Sequence, residues 1–250
     1  MEKKIRIGAV SYLNTRPLLY GLKEHPVASQ IDLQEAYPSK VAAMLLNDEI
    51  DIGLIPVAIL PNLPEYHLIS DFCIGCDGPV ASVALFSDEP IGSLNKVILD
   101  YQSRTSAMLL RLLFRDYWKL DIQFINAGTE DFRKEIHDHV GGLVIGDRAF
   151  EQARHSRFMY DLGEAWKLHT GMPFVFATWV SNKPIAQTFI RDFNEANAIG
   201  VRQLERVAAD HPEATFDLPA YYRNNLSYTF DATKRAALER FLSEISTLEI

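Results

Sequence analysis

Apolar and polar positions in the first sixty residues switch repeatedly between two periods. IRIGAV (residues 5–10) reads as a short strand, RPLLYGL opens a helix with Pro17 near its first turn, and IDLQEAY returns to the two-residue period of a strand. SKVAAMLLND places Val41, Met44 and Leu45 at helical spacing, and IDIGLIPVAIL is a buried strand running into Pro56 and Pro61. This β-α-β-α-β order predicts an open parallel sheet, whose binding positions lie beyond the carboxyl ends of its strands.

VASVALFSDEP (80–90) reads as one more strand, and then the pattern starts afresh. KVILDY, a helix over SRTSAMLLRLLFRDYW, strand DIQFINAG, helix DFRKEIHDH and strand GLVIGD predict a second α/β domain. PFVFATWVS (173–181) is an aromatic and β-branched strand long enough to cross back. The last third is helical, with no strand signal. Crossings at 82–87 and 174–181 predict two α/β lobes, residues 1–86 with 178–250 and residues 87–177. A two-stranded hinge joins them over a cleft that holds the site.

The 250 residues are 48% hydrophobic, enough for a sizeable core. A net charge of −8 argues against nucleic acid or an anionic membrane as partner, because either requires a basic face. An anionic ligand would therefore need positive potential supplied locally. The apolar run behind Met1-Glu2-Lys3-Lys4 is broken at Arg6, which predicts no signal peptide and a cytoplasmic location. Cys73 and Cys76 form a lone C-x-x-C, short of the four ligands of a structural zinc site, and read as buried strand packing. His137 and His139 are two apart on the predicted helix and do not share a face, so no metal site is expected there.

Two β-to-α corners are unusually polar. In SYLNTRPL, Thr15 serves as a helix cap, but that leaves Asn14 and Arg16 unexplained. A helix start at a sheet edge suits a carboxylate, and Arg16 either joins it or pairs with a surface acid such as Glu24 or Asp48. In DYQSRTSAMLLRLL, Ser103, Thr105 and Ser106 surround Arg104 where one hydroxyl would cap the helix, a composition that suits an anion cradle. Ser82 in DGPVASV is either a tolerated small residue or a site hydroxyl, and Asp147 in GLVIGDRAF either caps the helix over 148–153 or faces the cleft. Metalloprotease, nucleophile-elbow, phosphate-loop and dinucleotide motifs are all absent.

The motifs GAVSYLNTRPL, DGPVASVALFS, the SRTS helix start, GLVIGDRA and DLGEAWKLHTGMPFVFATW together resemble the chorismate dehydratases of the futalosine route to menaquinone. That resemblance implies a two-lobed fold of the type II periplasmic-binding-protein kind and conversion of chorismate to 3-[(1-carboxyvinyl)oxy]benzoate and water. It implies neither metal nor organic cofactor. Asn14 and Ser82 match the family's active-site polar groups, and Ser103, Arg104, Thr105 and Ser106 match its second-lobe substrate loop. Ser11, Tyr12, Thr15, Arg16, Asp147, Thr170 and Phe174 complete the substrate-binding set it implies. The matched motifs offer no obvious base. Either Asp147 or another cleft carboxylate takes the proton, or the substrate's own enolpyruvyl carboxylate does. A small-anion binding or sensor protein, and the sister enzyme that makes dihydroxynaphthoate, are the competing expectations on the same fold.

Overall fold

The computed structural model describes residues 4–248. Its first sheet has six strands. β1 (Ile5–Val10) leads through a 3₁₀ turn at Leu13–Thr15 into α1 (Arg16–Glu24), followed by β2 (Ile31–Ala36), α2 (Pro38–Leu46), β3 (Ile52–Pro56) and β4 (His67–Cys76). The second sheet contains β5 (Val83–Ser87), β6 (Lys96–Leu99), β7 (Gln123–Asn126), β8 (Val140–Ile145) and β9 (Phe158–Asp161), with α3 (Arg104–Leu113) and α4 (Arg148–Gln152) between strands and α5 (Leu162–Thr170) after them. The chain then returns to the first sheet as β10 (Phe174–Ser181). It ends in α6 (Gln187–Val201), α7 (Leu204–Ala209), α8 (Leu218–Asn224), the short strand β11 (Ser227–Thr229) and α9 (Ala232–Ile245).

The sheet orders are β11-β4-β10-β3-β1-β2 and β7-β6-β8-β5-β9. β1 pairs in parallel with both β2 and β3, and β6 with both β7 and β8, as the βαβ pattern requires. β10 and β5 enter their sheets antiparallel. Neither strand spans the lobes. β5 pairs along its length with β8 and β9, and β10 pairs only with β3 and β4, so the chain crosses in the loops just before them, at 77–82 and 171–173. The expected boundaries at 86/87 and 177/178 therefore move towards the N-terminus, because full ladder pairing holds each strand within one sheet.

Other expectations shift in detail. The helix expected over DFRKEIHDH is only a 3₁₀ turn, Glu130–Glu135, because Phe132 and Ile136 are its sole apolar anchors, and both plug the second sheet's small core. β9 and β11 were not legible as strands; at four and three residues they are too short to show a period. Cys73 and Cys76 lie buried and free in β4, and burial pushes the Cys73 thiol up to about 12.

Close helix packing fixes the frame that carries the N-terminal loop. A Cβ at Gly21 would lie 1.7 Å from the Ala196 carbonyl oxygen, and one at Gly200 would lie 1.8 Å from that of Pro17, so α1 and α6 touch backbone to backbone. Asn197 of α6 is buried and accepts the Trp179 indole N–H of β10 at 3.0 Å, tying the helix to the sheet. Among the described residues, no helix is long and apolar enough to cross a membrane.

The start of β1 is anchored by the buried Asp51 carboxylate. It accepts the Arg6 backbone N–H at 2.9 Å, the Arg6 guanidinium at 2.7 and 3.2 Å, and the Lys183 ammonium at 2.5 Å. Burial alone would raise its pKa, but the hydrogen bonds from Arg6 and Lys183 outweigh burial and hold it well below the usual carboxylate range. A lowered folded-state pKa contributes stability that is present above pH ~4 and lost as pH falls towards the folded value. Asp51→Asn is expected to cost about 3 kcal/mol near neutral pH, as for a broken buried ion pair, and to flatten the acid limb of stability in urea titrations. An unchanged acid limb would show that another carboxylate governs it.

Candidate active site

A cavity with about 490 Å³ of empty space opens between the two lobes. Tyr12, Asn14 and Thr15 line it from the loop after β1, and Ser103, Thr105 and Ser106 from the start of α3. Ser82, Val83, Ile145 and Gly146 form the second lobe's edge, while Pro38, Pro56, Ile74, Phe176 and Ala177 supply apolar walls. No lining residue among those described carries an ionised side chain at neutral pH. The only titratable group is the Tyr12 phenol, whose pKa burial raises.

At α3, Ser103 is the N-cap: its Oγ accepts the Ser106 N–H at 3.1 Å and donates to Ser106 Oγ at 2.8 Å. Thr105 Oγ1 accepts the Ala58 N–H at 3.2 Å. Thr105 and Ser106 thus spend an acceptor site on the protein and keep a hydroxyl proton for the cavity, beside the positive end of a ten-residue helix. Arg104 does not join them. It is exposed, because consecutive helical residues point about 100° apart and its neighbours on both sides face inward.

The 11–15 loop is held from several sides. The Leu13 N–H donates to both oxygens of Asp147 at 3.2 Å, and its carbonyl accepts the Tyr222 hydroxyl at 2.8 Å. The Asn14 carbonyl accepts the Tyr228 hydroxyl at 2.9 Å. Asn14 Oδ1 accepts from Thr15 Oγ1 at 3.1 Å, leaving the Asn14 amide N–H groups to act as donors. Tyr12 donates to Gln102 of the opposite lobe, and Arg148 Nη2 reaches the same phenol at 3.3 Å while pairing with buried Asp100 at 2.6 Å.

Several expected site residues lie elsewhere. Arg16 turns away from the cavity to pair with Glu35 at 2.6 Å and with the Ser11 carbonyl at 3.0 Å, so Ser11 also serves the loop's backbone and stays off the lining. The surface partner is thus Glu35 rather than Glu24 or Asp48. Asp147 is occupied by Leu13 and is not on the lining; burial raises its pKa against the pull of the Leu13 N–H. Thr170 closes the last turn of α5 through the Trp166 carbonyl at 2.8 Å. Phe174 is core, edge-on to Trp166, Phe176 and Phe241. A register shift between Val175 and Ala177 makes Phe176 a bulge, so Phe176 and Ala177 both reach the cavity.

Ser82 is aimed by a strained turn. Its N–H donates to the Val80 carbonyl at 2.7 Å across Ala81, which has φ +63°, a left-handed γ-turn that a residue with a Cβ adopts only under constraint. The constraint is Asp161, whose carboxylate accepts from Val80 N at 3.0 Å, Ala81 N at 2.6 Å and Glu164 N at 3.0 Å. The buried Ser82 Oγ then accepts the Tyr221 hydroxyl at 2.6 Å. Tyr221, Tyr222 and Tyr228 had no signal in the sequence, since each works through a partner 139 to 214 residues away, and of Asp161 only the local cap on the Glu164 N–H is legible, not its hold on Val80 and Ala81.

This architecture, two α/β lobes linked by two crossings around a cavity, is that of a type II periplasmic-binding-protein-like molecule. A structure of an Archaeoglobus fulgidus protein superposes with a TM-score of 0.74 at 14% identity over 97% of both chains. The periplasmic aliphatic sulphonate binding protein of Escherichia coli does so at 0.63 and 18% identity, covering 97% of this chain and 91% of its own. By sequence, a menaquinone biosynthesis family model matches residues 5–246, and the chain belongs to that family. It is 27% identical to a chorismate dehydratase of Thermus thermophilus over 94% of this chain and 93% of that protein. It is 22% identical to a chorismate dehydratase of Campylobacter jejuni over 97% and 98%.

Asp161→Asn keeps the shape but leaves a single acceptor oxygen for three backbone donors. It is expected to lower stability by about 1–3 kcal/mol in urea unfolding, the cost of leaving a buried donor unpaired. Wild-type stability would remove Asp161 as the constraint on Ala81.

Proposed function

We propose that the protein is a hydro-lyase that converts chorismate to 3-[(1-carboxyvinyl)oxy]benzoate and water, within the futalosine route of menaquinone biosynthesis, in the cytoplasm. The observation that carries this reading is the cavity lining. Asn14 and Ser82 line one cleft together with the hydroxyls at the start of α3, among apolar side chains, the mix of few polar groups and apolar wall that suits a small organic ligand. Similarity to two chorismate dehydratases along nearly the whole chain supports the choice of substrate.

In this reading the ring carboxylate of chorismate lies at the N-terminus of α3. Thr105 and Ser106 donate to it, and the helix dipole supplies positive potential in place of an arginine. The ring hydrogen at the enol-ether carbon is vinylogously acidified by that carboxylate. Its removal builds negative charge where the donors already point, so they bind the transition state better than the ground state.

Among the described residues no carboxylate, imidazole or amine lines the cavity, and in this reading the substrate's enolpyruvyl carboxylate is the base. It takes the ring proton, the electron pair of that C–H bond becomes a ring double bond as the neighbouring carbon–oxygen bond breaks, and the carboxylic acid so formed passes the proton to the departing hydroxide, which leaves as water. The ring becomes aromatic. Asn14 and Ser82 hold the enolpyruvyl group extended and hydrogen-bond the departing hydroxyl, while Pro38, Pro56 and Phe176 pack the ring. An extended side chain also keeps chorismate out of the folded pose that rearranges to prephenate.

Incubation of the pure protein with chorismate should yield a product lighter by one water in mass spectrometry. Unchanged chorismate that raises the melting temperature would instead identify a binding protein. Asp147→Asn separates the two bases: turnover within about threefold of wild type is expected, because the Asn carbonyl still accepts the Leu13 N–H. Collapse of turnover with binding intact would make Asp147 the base.

A further inference from the structure

The phenol of Tyr221 is the strongest polar feature beside the cavity that the dehydration scheme leaves unused. Its ring is 3% exposed and sits edge-on to Phe150 and Phe216, centroids at 5.1 and 5.6 Å, which stack on each other at 3.6 Å. The aromatic contacts alone would be met by phenylalanine. Its hydroxyl, however, donates to Ser82 Oγ at 2.6 Å with both groups buried. Burial raises the phenol's pKa and keeps it protonated. One hydroxyl from α8 thus adjoins Ser82, a group assigned to the departing hydroxyl, from 139 residues away in the chain.

A phenol is a stronger acid than an aliphatic alcohol, so in this pair the proton lies on the tyrosine side and points at the serine. Ser82 Oγ accepts it and must turn its own proton elsewhere. The turn fixed by Asp161 sets Ser82 on the cavity lining, where that proton is free for a bound group. A hydroxyl that is itself accepting a hydrogen bond is a better donor than an isolated one.

We infer that Tyr221 is a positioning residue for the dehydration, whose hydroxyl orients and polarises Ser82 so that the serine donates to the substrate hydroxyl as it leaves. This deepens the chorismate dehydratase reading and rests on it. Tyr221 is not on the cavity lining and touches no substrate atom in this arrangement.

The test is a double-mutant cycle of Tyr221→Phe and Ser82→Ala on chorismate, with kcat and KM measured well below the melting temperature of each variant. The Phe variant should lose about 10- to 100-fold in kcat, one hydrogen bond felt in the transition state, with KM within about threefold and the aromatic packing kept. In the Ser82→Ala background the same change should cost less than about twofold, because its target is gone. A 3-fluorotyrosine at 221, which keeps ring and donor, should retain most of the wild-type kcat. Wild-type kcat in the Phe variant would overturn the proposal. So would a loss that multiplies with that of Ser82→Ala, or one that 3-fluorotyrosine fails to restore. A wild-type protein inert towards chorismate would overturn the dehydratase reading, and the role of Tyr221 with it; an active wild type with an equally active Phe variant overturns only the latter.

Discussion

The peptide group of Leu13 is held from two lobes at once. Its N–H lies against the Asp147 carboxylate of the second sheet's lobe, and its carbonyl takes the Tyr222 hydroxyl from α8. Hydrogen bonds to a carboxylate contribute about 1.5–3 kcal/mol each, which is enough to fix one peptide group and the residues either side of it. Tyr12 and Asn14 flank Leu13, so this grip sets where the phenol crosses to Gln102 and where the Asn14 amide faces the cavity. Without it, the residues between β1 and α1 would form an ordinary polar loop, and the first lobe would bring little polar chemistry to the cleft.

The second lobe's contribution is fixed by the same means, backbone donors gathered by a buried carboxylate. Asp161 holds the turn at Ala81 as Asp147 holds Leu13, and Asp100 takes Arg148 together with the Gln102 and Ile145 N–H groups. Each carboxylate close to the cavity is therefore committed to structure. The charge balance suits the proposed anionic substrate to an acidic chain: the carboxylates are spent on backbone and arginine, and the cavity lining among the described residues is left neutral. In a low-dielectric cleft fixed dipoles are effective without the desolvation cost of a buried guanidinium.

Much of this frame was legible in the sequence. Hydroxyl-rich corners after β1 and before α3 are local signals, and the restart of the βα pattern announced the second lobe. The direction of the arginines was not legible, because residue type alone does not give it: Arg104 sits one step round the helix from its inward neighbours, and of the two alternatives open for Arg16 the structure shows the surface pairing, with Glu35. Phe174, expected at the site from the resemblance, packs into the core against Trp166 and Phe241, and Phe176, at the bulge, reaches the cavity. The tyrosines of α8 and β11 were silent for a different reason. A tyrosine in a helix or short strand reads as core until the fold brings its hydroxyl against a serine or a peptide carbonyl 139 to 214 residues away.

In the proposed reaction the protein supplies donors and shape, and the substrate supplies the base. The pH dependence of kcat for chorismate tests it most directly, since that profile reports ionisations in the enzyme–substrate complex. A substrate carboxylate that is ionised throughout predicts a kcat independent of pH from about 5 to about 9. A limb rising through that range, with the slope of one proton lost, would place the base on the protein and contradict the account.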